Sequence, residues 1–154
     1  LNGTFPLPDP QLDRFMLRLS LDYPDAAAER ALLGGSDRRD LLAQLRPKLD
    51  AAALIELHRQ SQSITASNAL LDYLQALLSA SRRHADIRVG LSPRAGLALL
   101  GAARAWALLH HRNHVLPEDL QALFVPLAAH RLLPARGAHG DTLARQLLAE
   151  VAVD

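Results

Sequence analysis

The sequence contains no cysteine and few aromatic side chains: one Trp, two Tyr and three Phe among 154 residues. The missing cysteines exclude disulfide bonds and thiolate metal sites. The formal net charge is +1 at pH 7, so nothing indicates a polyanionic partner that is held by bulk charge. The longest apolar run, Gly96–Leu109, is interrupted by Arg104 and is too short to cross a bilayer.

A phosphate-binding loop is also missing from the sequence. The double glycine Gly34-Gly35 lacks the strand and the lysine of such a loop, and it predicts the end of a helix instead. The chain nevertheless carries Arg14 in a short motif near its start and Arg94 directly after Ser92-Pro93. Two arginines suited to meeting a phosphate, without a loop to hold it, indicate one part of a larger nucleotide-dependent assembly.

Leu and Ala dominate the apolar residues, a composition that favours helices. Leucine or phenylalanine recurs at every second position from Phe15 to Leu21, which predicts a half-buried strand over 15–22. After Tyr23-Pro24, capping residues and apolar spacing predict helices over 26–33, 37–46, 50–61, from Thr65 or Ser67 onwards, over 93–110, from Pro117 onwards and over 141–151. The helix over 93–110 is apolar on nearly all sides, so we expect it at the centre of the bundle.

The predicted fold class is therefore all-α, a bundle of about six or seven helices preceded by one orphan β-strand. A lone strand cannot satisfy its own backbone groups. We therefore interpret residues 1–22 as the end of a sheet-containing domain and residues 23–154 as a self-sufficient helical domain. The chain opens at Leu1 in the middle of this pattern, so we expect it to be a piece of a longer protein.

Several short motifs occur in an order and spacing that resemble one known family. They are Gly3–Pro8, Gln11–Phe15, Tyr23-Pro24, Val89–Ala95, Trp106–Leu108, Arg112–Asp119 and His130–Leu132. The first three resemble the end of the ATPase core of MoxR-type AAA+ proteins, and the others resemble the helical lid domain of the same proteins. The family's Walker A loop, Walker B acidic pair and first sensor Asn would all lie upstream of Leu1.

Two positions depart from the family pattern. Leu91 and Leu116 stand where a small or hydroxyl residue is expected. Leu116 removes a side-chain cap from the helix that begins at Pro117, at a cost of about 1 kcal/mol.

The resemblance implies roles for the two arginines. Arg14 would be an arginine finger that reaches nucleotide held by a neighbouring subunit, with Arg18 as the second choice. Arg94 would be the second sensor and would contact ATP phosphate in its own subunit, with Ser92 and Pro93 shaping that site. An Arg in the first turn of a helix is unfavourable by itself, so an anion opposite Arg94 would explain its presence.

The alternative interpretation is that these arginines have structural roles and form contacts within the chain. Arg14 could pair with Asp13 or pack on Phe15, and Arg94 could pair with Asp86 or another acid. The structure can distinguish these alternatives from the phosphate-sensing roles.

The same resemblance implies the properties of the whole protein. It would bind ATP and Mg, hydrolyse ATP, assemble into a ring, usually a hexamer, reside in the cytoplasm and remodel or activate partner proteins as a chaperone does. The fragment alone would neither bind ATP tightly nor hydrolyse it. No nucleic-acid partner and no membrane span are expected, and the substrate protein is left open.

Other candidate sites are weaker. His110 and His114 could share a helix face, but no carboxylate lies in that cluster and Arg112 would repel a cation, so no metal site is expected. Ser92 lacks the Gly-x-Ser-x-Gly setting of a hydrolase. The basic pairs Arg38-Arg39 and Arg82-Arg83 are more typical of solvated helix ends than of a nucleic-acid stripe.

The rival hypothesis is a stand-alone helical module that binds protein or nucleic acid. It predicts that residues 1–22 form a disordered arm and that Arg14 and Arg94 face solvent on unrelated surfaces. The lid hypothesis predicts instead that Arg94 lies beside the N-terminal segment, at a concave edge.

Overall fold

The structure, a computed structural model, describes residues 7–35, 42–137 and 139–153. The described residues form two compact units. One unit combines the N-terminal segment through Arg18 with everything from His58 onwards, and the other comprises Leu19–Leu57. No helix of the described ranges has the length and apolar content that a bilayer crossing requires.

The larger unit contains most of the regular structure. Its elements are α1 (Asp9–Leu12), the end of α3 (Ala51–Ser63), α4 (Asn68–Arg83), β1 (Ile87–Val89), α5 (Pro93–Leu109), α6 (Pro117–Ala128), β2 (Leu133–Pro134) and α7 (Gly140–Glu150). The smaller unit contains α2 (Ala26–Leu33) and the start of α3. Residues 42–44 are also helical. The all-α fold class predicted from the sequence is confirmed.

The core of the larger unit lies between α4, α5, α6 and α7. The amphipathic faces of these helices bring together side chains that are almost fully excluded from solvent: Leu77, Leu91, Leu99, Leu120, Phe124, Leu127, Leu143 and Leu147. Small residues on α5, among them Ala95, Ala103 and Ala107, allow its neighbours to approach closely. Burial of this apolar surface is the main force that holds the unit together.

The predicted helix starts are confirmed wherever a side-chain cap was recognised. Asp25 accepts a hydrogen bond from the Ala28 N–H at 2.8 Å, and Asp50 accepts one from Ala53 at 2.7 Å. Of the two candidates before α4, Ser67 forms the cap. The first half of the helix predicted over 37–46 lies outside the described residues, and so does the pair Arg38-Arg39.

The strand predicted over 15–22 is not formed within the described residues. Leu17 is half-buried, but Leu19 and Leu21 are 74% and 98% exposed, so the expected apolar face is not covered. A strand needs a neighbouring strand for its backbone groups, and among the described residues no strand pairs with this segment. The division of domains at residue 22 concerns a core outside this chain and stays a prediction.

Two features of the fold differ from the sequence prediction. First, β1 and β2 form a small antiparallel pair, with Ile87 opposite Pro134, that is too short to give a period-two signal. Second, α5 is not buried on all sides, because Leu97 and Leu109 are more than 70% exposed. Its Ala and Gly residues make it apolar all round, while only one face packs into the core.

The missing cap at Leu116 is replaced from within α6. The Asp119 carboxylate accepts the Leu116 N–H at 2.8 Å and forms a two-point ion pair with Arg112. Burial by itself raises the pKa of Asp119, but the hydrogen bonds from Arg112 and from the Leu116 N–H outweigh it and hold that pKa below its ordinary value. The cost expected for Leu116 is therefore offset by a side chain three residues later.

Candidate functional site

Arg14 follows the short helix α1, in a turn against the larger unit. Its N–H donates to the Gln11 carbonyl at 3.1 Å, and its side chain is exposed. Among the described residues its guanidinium has no ion pair. The expected alternative, a pair with Asp13, is not formed, because the Asp13 carboxylate contacts Ser92 and Arg131 instead.

Arg18, the second choice for a finger, is already engaged. Its guanidinium forms an ion pair with Asp141 of α7, at 2.5 Å between Nη2 and Oδ2. Its backbone N–H donates to the Pro126 carbonyl at 2.8 Å. Arg18 therefore fastens the N-terminal segment to the bundle, whereas Arg14 is left to face outwards.

Arg94 occupies the second position of α5 and is exposed. Ser92 caps the helix by accepting the Ala95 N–H at 3.1 Å, and Pro93 has no N–H to satisfy. No ion pair joins Arg94 to Asp86 or to any other described acid. Its guanidinium and its backbone N–H are both available to an anion at this helix end.

A hydrogen bond joins the two segments that carry these arginines. The Ser92 hydroxyl donates to the Asp13 carboxylate, at 3.1 Å to Oδ1 and 3.2 Å to Oδ2. Arg14 is the residue after Asp13, and Arg94 lies two residues after Ser92. The structure thus brings the two predicted phosphate-facing positions to the same edge of the larger unit.

Arg131 also belongs to the site, although no sequence pattern predicts a role for it. Its side chain is only 3% exposed and pairs with Asp13, at 3.2 Å between Nε and Oδ1. Burial lowers the pKa of Arg131, and the Asp13 carboxylate opposes that shift. The motif His130–Leu132 was noted in the sequence, but nothing in its spacing predicts a contact with residues 118 positions earlier.

A pocket of about 250 Å³ lies beside this contact and gives the edge a concave shape. Its lining comprises Asp9, Pro10, Asp13, Val89, Gly90, Ser92, His130, Arg131 and Leu133. His130 interacts through Nε2 with the Phe15 carbonyl at 3.0 Å. Burial lowers the pKa of His130, with the Phe15 carbonyl acting in the opposite direction.

The other candidate chemistry finds no support in the described residues. Ser92 bonds to Asp13 and to a helix N–H but not to a histidine, so it has no base to activate it. His110 Nδ1 lies 2.8 Å from the Trp106 carbonyl at the end of α5, and His114 Nδ1 lies 3.0 Å from Asn113 Oδ1. No group of three or more metal-ligating side chains occurs in the described ranges. Arg82, at the end of α4, donates from Nε to the Leu91 carbonyl at 2.9 Å.

The described site presents groups that attract an anion. It offers two guanidinium groups and one helix end, and the sequence contains no glycine-rich phosphate loop.

Comparison with known proteins identifies a family and several relatives of this chain. The AAA lid domain family matches residues 79–151, which run from the end of α4 through α7. The YeaC protein of Bacillus subtilis, which is uncharacterized, is 33% identical over 98% of this chain and 49% of its own length. Protein MoxR of Paracoccus denitrificans is 36% identical over 84% of this chain and 44% of its own length.

The chaperone MoxR1 of Mycobacterium tuberculosis is 27% identical over 95% of this chain and 41% of its own length. The crystal structure of a candidate ATPase from Cytophaga hutchinsonii superposes with a TM-score of 0.84, at 27% identity, over 99% of this chain and 51% of that one. The chain thus spans about half the length of the relatives that it matches.

Proposed function

Since this chain belongs to the MoxR-type AAA+ ATPases and corresponds to their C-terminal part, with the AAA lid domain, we propose that it contacts nucleotide at two sites of a ring-shaped ATPase, one in its own subunit and one in a neighbouring subunit. Arg94 contacts ATP phosphate in its own subunit as the second sensor, with Ser92 and Pro93 setting the helix end. Arg14 contacts the nucleotide of the neighbouring subunit as an arginine finger. ATP and Mg²⁺ are bound by the whole protein, and residues 1–22 form the end of its ATPase core.

One observation carries this proposal. Arg14 and Arg94 are exposed and lack ion pairs among the described residues, although they flank a contact that is itself fully hydrogen-bonded. The nearby Arg18 is occupied by Asp141. An unpaired arginine on a rigid edge is suited to stabilise charge that develops on a phosphate oxygen during transfer.

The proposed biological role follows from the relatives. The Mycobacterium tuberculosis relative is a chaperone by name. We propose that ATP hydrolysis in the protein that contains this chain likewise drives remodelling or activation of a partner protein. The boundary between core and lid is proposed near Tyr23-Pro24.

The finger is tested in the full-length ATPase by replacing Arg14 with Ala. An arginine finger contributes about 10³-fold or more to kcat, so Arg14→Ala should nearly abolish ATP turnover while fluorescent ATP still binds. Arg18→Ala is the control, because it removes another exposed arginine of the same segment, one whose guanidinium already pairs with Asp141. Equal kcat values for Arg14→Ala and the unaltered enzyme would refute the finger.

Action in trans is tested by mixing two inactive variants. Arg14→Ala subunits are combined with subunits that lack the phosphate-loop lysine of the upstream core. Random mixing in a cyclic ring places an intact loop opposite an intact Arg14 at about one interface in four. Turnover should return to about that fraction, whereas no recovery at any mixing ratio would indicate that Arg14 acts within its own subunit or not at all.

The sensor is tested by the nucleotide affinity of an Arg94→Ala variant. A hydrogen bond to a charged group contributes about 1.5 to 3 kcal/mol, so Kd for ATP should rise by about 10- to 100-fold. The Kd for ADP should change less if Arg94 contacts the γ-phosphate. Arg88→Ala, another exposed arginine shortly before α5, should leave both values unchanged.

The rival hypothesis, a stand-alone interaction module, is less consistent with the N-terminal segment. It expects a free arm, but Asp13, Phe15 and Arg18 all bond to the helical bundle. Retention of Arg14→Ala and Arg94→Ala proteins on an RNA or peptide column, with unchanged ATP turnover, would nevertheless favour it.

A further inference from the structure

The guanidinium of Arg131 uses all five of its N–H groups on the segment that carries Arg14 and on its own helix end. Nε donates to Asp13 Oδ1 at 3.2 Å, and Nη2 donates to the Asp13 and Phe15 carbonyls. Nη1 donates to the Met16 carbonyl at 3.1 Å and to the Leu127 carbonyl. Arginine is the one side chain with five N–H donors in a fixed planar arrangement, so it alone can bind this many fixed oxygen atoms at once.

Arg14 lies between Asp13 and Phe15, whose carbonyls both accept hydrogen bonds from Arg131 Nη2. Its backbone is therefore fixed on both sides, although its side chain projects from the surface. We propose that Arg131 and Asp13 are positioning residues: Arg131 orients Arg14, and Asp13 ties the Arg14 turn to the start of α5, which carries Arg94. This proposal rests on the proposed function, because it assigns them a role in aiming Arg14 and Arg94.

The Asp13 carboxylate extends the same network to α5. It accepts the Ser92 hydroxyl while it pairs with Arg131, so the cap of α5 and the turn that carries Arg14 share one acceptor. The start of α5 and the Arg14 turn consequently form one rigid body, in which Arg94 and Arg14 keep a fixed separation.

This fixed separation has a mechanistic consequence. When Arg94 follows the phosphate of its own nucleotide, α5 must move, and the buried network forces the Arg14 turn to move with it. Nucleotide binding in one subunit thereby changes the position of Arg14 at the nucleotide site of the neighbouring subunit. Residues 13–16 therefore move with the start of α5, although they precede the proposed boundary between core and lid near Tyr23-Pro24.

A second arginine–aspartate pair in the same unit, partly buried, supplies a matched control. Arg112 binds both oxygens of Asp119, at 2.7 and 2.5 Å. Its partner carboxylate caps α6 and does not contact residues 13–16. Arg→Lys at position 112 or 131 keeps the positive charge but loses the planar guanidinium and its several donors. Because only Arg131 contacts residues 13–16, only Arg131→Lys should affect the Arg14 turn.

The rigid body is tested on this chain by the distance between two spin labels. The sequence contains no cysteine. The double variant Arg14→Cys/Arg94→Cys therefore takes one spin label at each of these two exposed positions. We expect a single narrow distance distribution. Arg131→Lys should broaden it at least about twofold, and Arg112→Lys should leave its width unchanged, because only the Arg131 fork holds the turn.

Asp13→Asn provides a second variant in case Arg131→Lys fails to fold. It preserves the shape and an acceptor for Ser92 but removes the charge opposite Arg131, and it should broaden the distribution as well. A distribution that is broad in the unaltered chain, or that stays narrow in the folded positioning variants, would overturn the rigid body irrespective of what Arg14 does.

Catalytic positioning is tested in the full-length ATPase. Because a misplacement of about 1 Å can cost about 100-fold in rate, Arg131→Lys should lower kcat by about 10- to 100-fold and leave KM for ATP nearly unchanged. In an Arg14→Ala background the same change should have less than about a twofold effect, since both act through one group.

The possible failures of the two proposals are distinguishable. Unchanged kcat in Arg14→Ala would refute the finger, and the catalytic role of Arg131 with it, while the label distances would still report on the rigid body. A large loss in Arg14→Ala combined with unchanged kcat in a folded Arg131→Lys enzyme would keep the finger and overturn positioning by Arg131.

Discussion

Gly90 lies at the turn between β1 and Leu91, directly before the cap of α5, and no larger residue fits there. A Cβ added at Gly90 would lie 2.6 Å from the Ser81 carbonyl oxygen, 2.7 Å from its carbon and 2.8 Å from the Arg82 Cα. All three contacts are backbone atoms of α4, so no flexible side chain can move aside. The backbone of Gly90 lies outside the left-handed region, so the clash alone sets the cost of a substitution.

The expected cost of Gly90→Ala can be compared with that of a second glycine. Overpacking against fixed atoms costs about 1 to 3 kcal/mol, and the upper part of that range applies because three backbone atoms are involved. Gly101 lies in the middle of α5, where an added Cβ meets nothing within 4 Å. Gly101→Ala should therefore stabilise the chain by about 1 kcal/mol, through helix propensity and a less flexible unfolded state.

Urea unfolding followed by far-ultraviolet circular dichroism measures both changes. The midpoint should fall for Gly90→Ala and rise for Gly101→Ala, with similar m-values if both variants keep the same fold. A Gly90→Ala variant within about 0.5 kcal/mol of the unaltered chain would show that the turn can withdraw from α4. The close contact would then not be what fixes Ser92 at the start of α5.

Three further perturbations test separate parts of the same edge. Ser81→Ala should lower the free energy of unfolding by about 1 to 3 kcal/mol in urea, because the buried Leu91 N–H loses its acceptor at 2.9 Å; an unchanged value would contradict this. Arg94→Ala should shift Tm by less than about 2 °C in a thermal scan, since the side chain is exposed and unpaired, and a loss of several kcal/mol would make Arg94 structural. The pKa of His130 is lowered from 6.5 by burial, so its neutral ring stabilises the fold fully above pH 6.5 and this contribution is lost as the pH falls through the lowered pKa. His130→Asn should flatten the decline in unfolding free energy below pH 6.5, and parallel curves for the two proteins would refute the assignment.

The helices could be predicted from the sequence because their signals are local. Ser92 followed by Pro93 predicts where α5 begins, and Asp25 predicts where α2 begins; both caps are formed. The period-two pattern from Phe15 to Leu21 was equally local, but a strand depends on a partner that no local pattern supplies. The pattern therefore failed as a prediction of structure for the described chain, although the assignment of the surrounding motifs to the family held.

The candidate site could be predicted only in its individual residues. Arg14 and Arg94 follow from short motifs, but what holds them together depends on contacts between residues 79 and 118 positions apart. Arg131 illustrates the limit, because an arginine near the end of a helix is ordinarily interpreted as solvated. It becomes buried only because three backbone carbonyls of a distant turn replace its water, and an exposed turn of that kind has no sequence signature. The residues that contact a ligand can thus be proposed from sequence, whereas those that aim them are found only once the chain is folded.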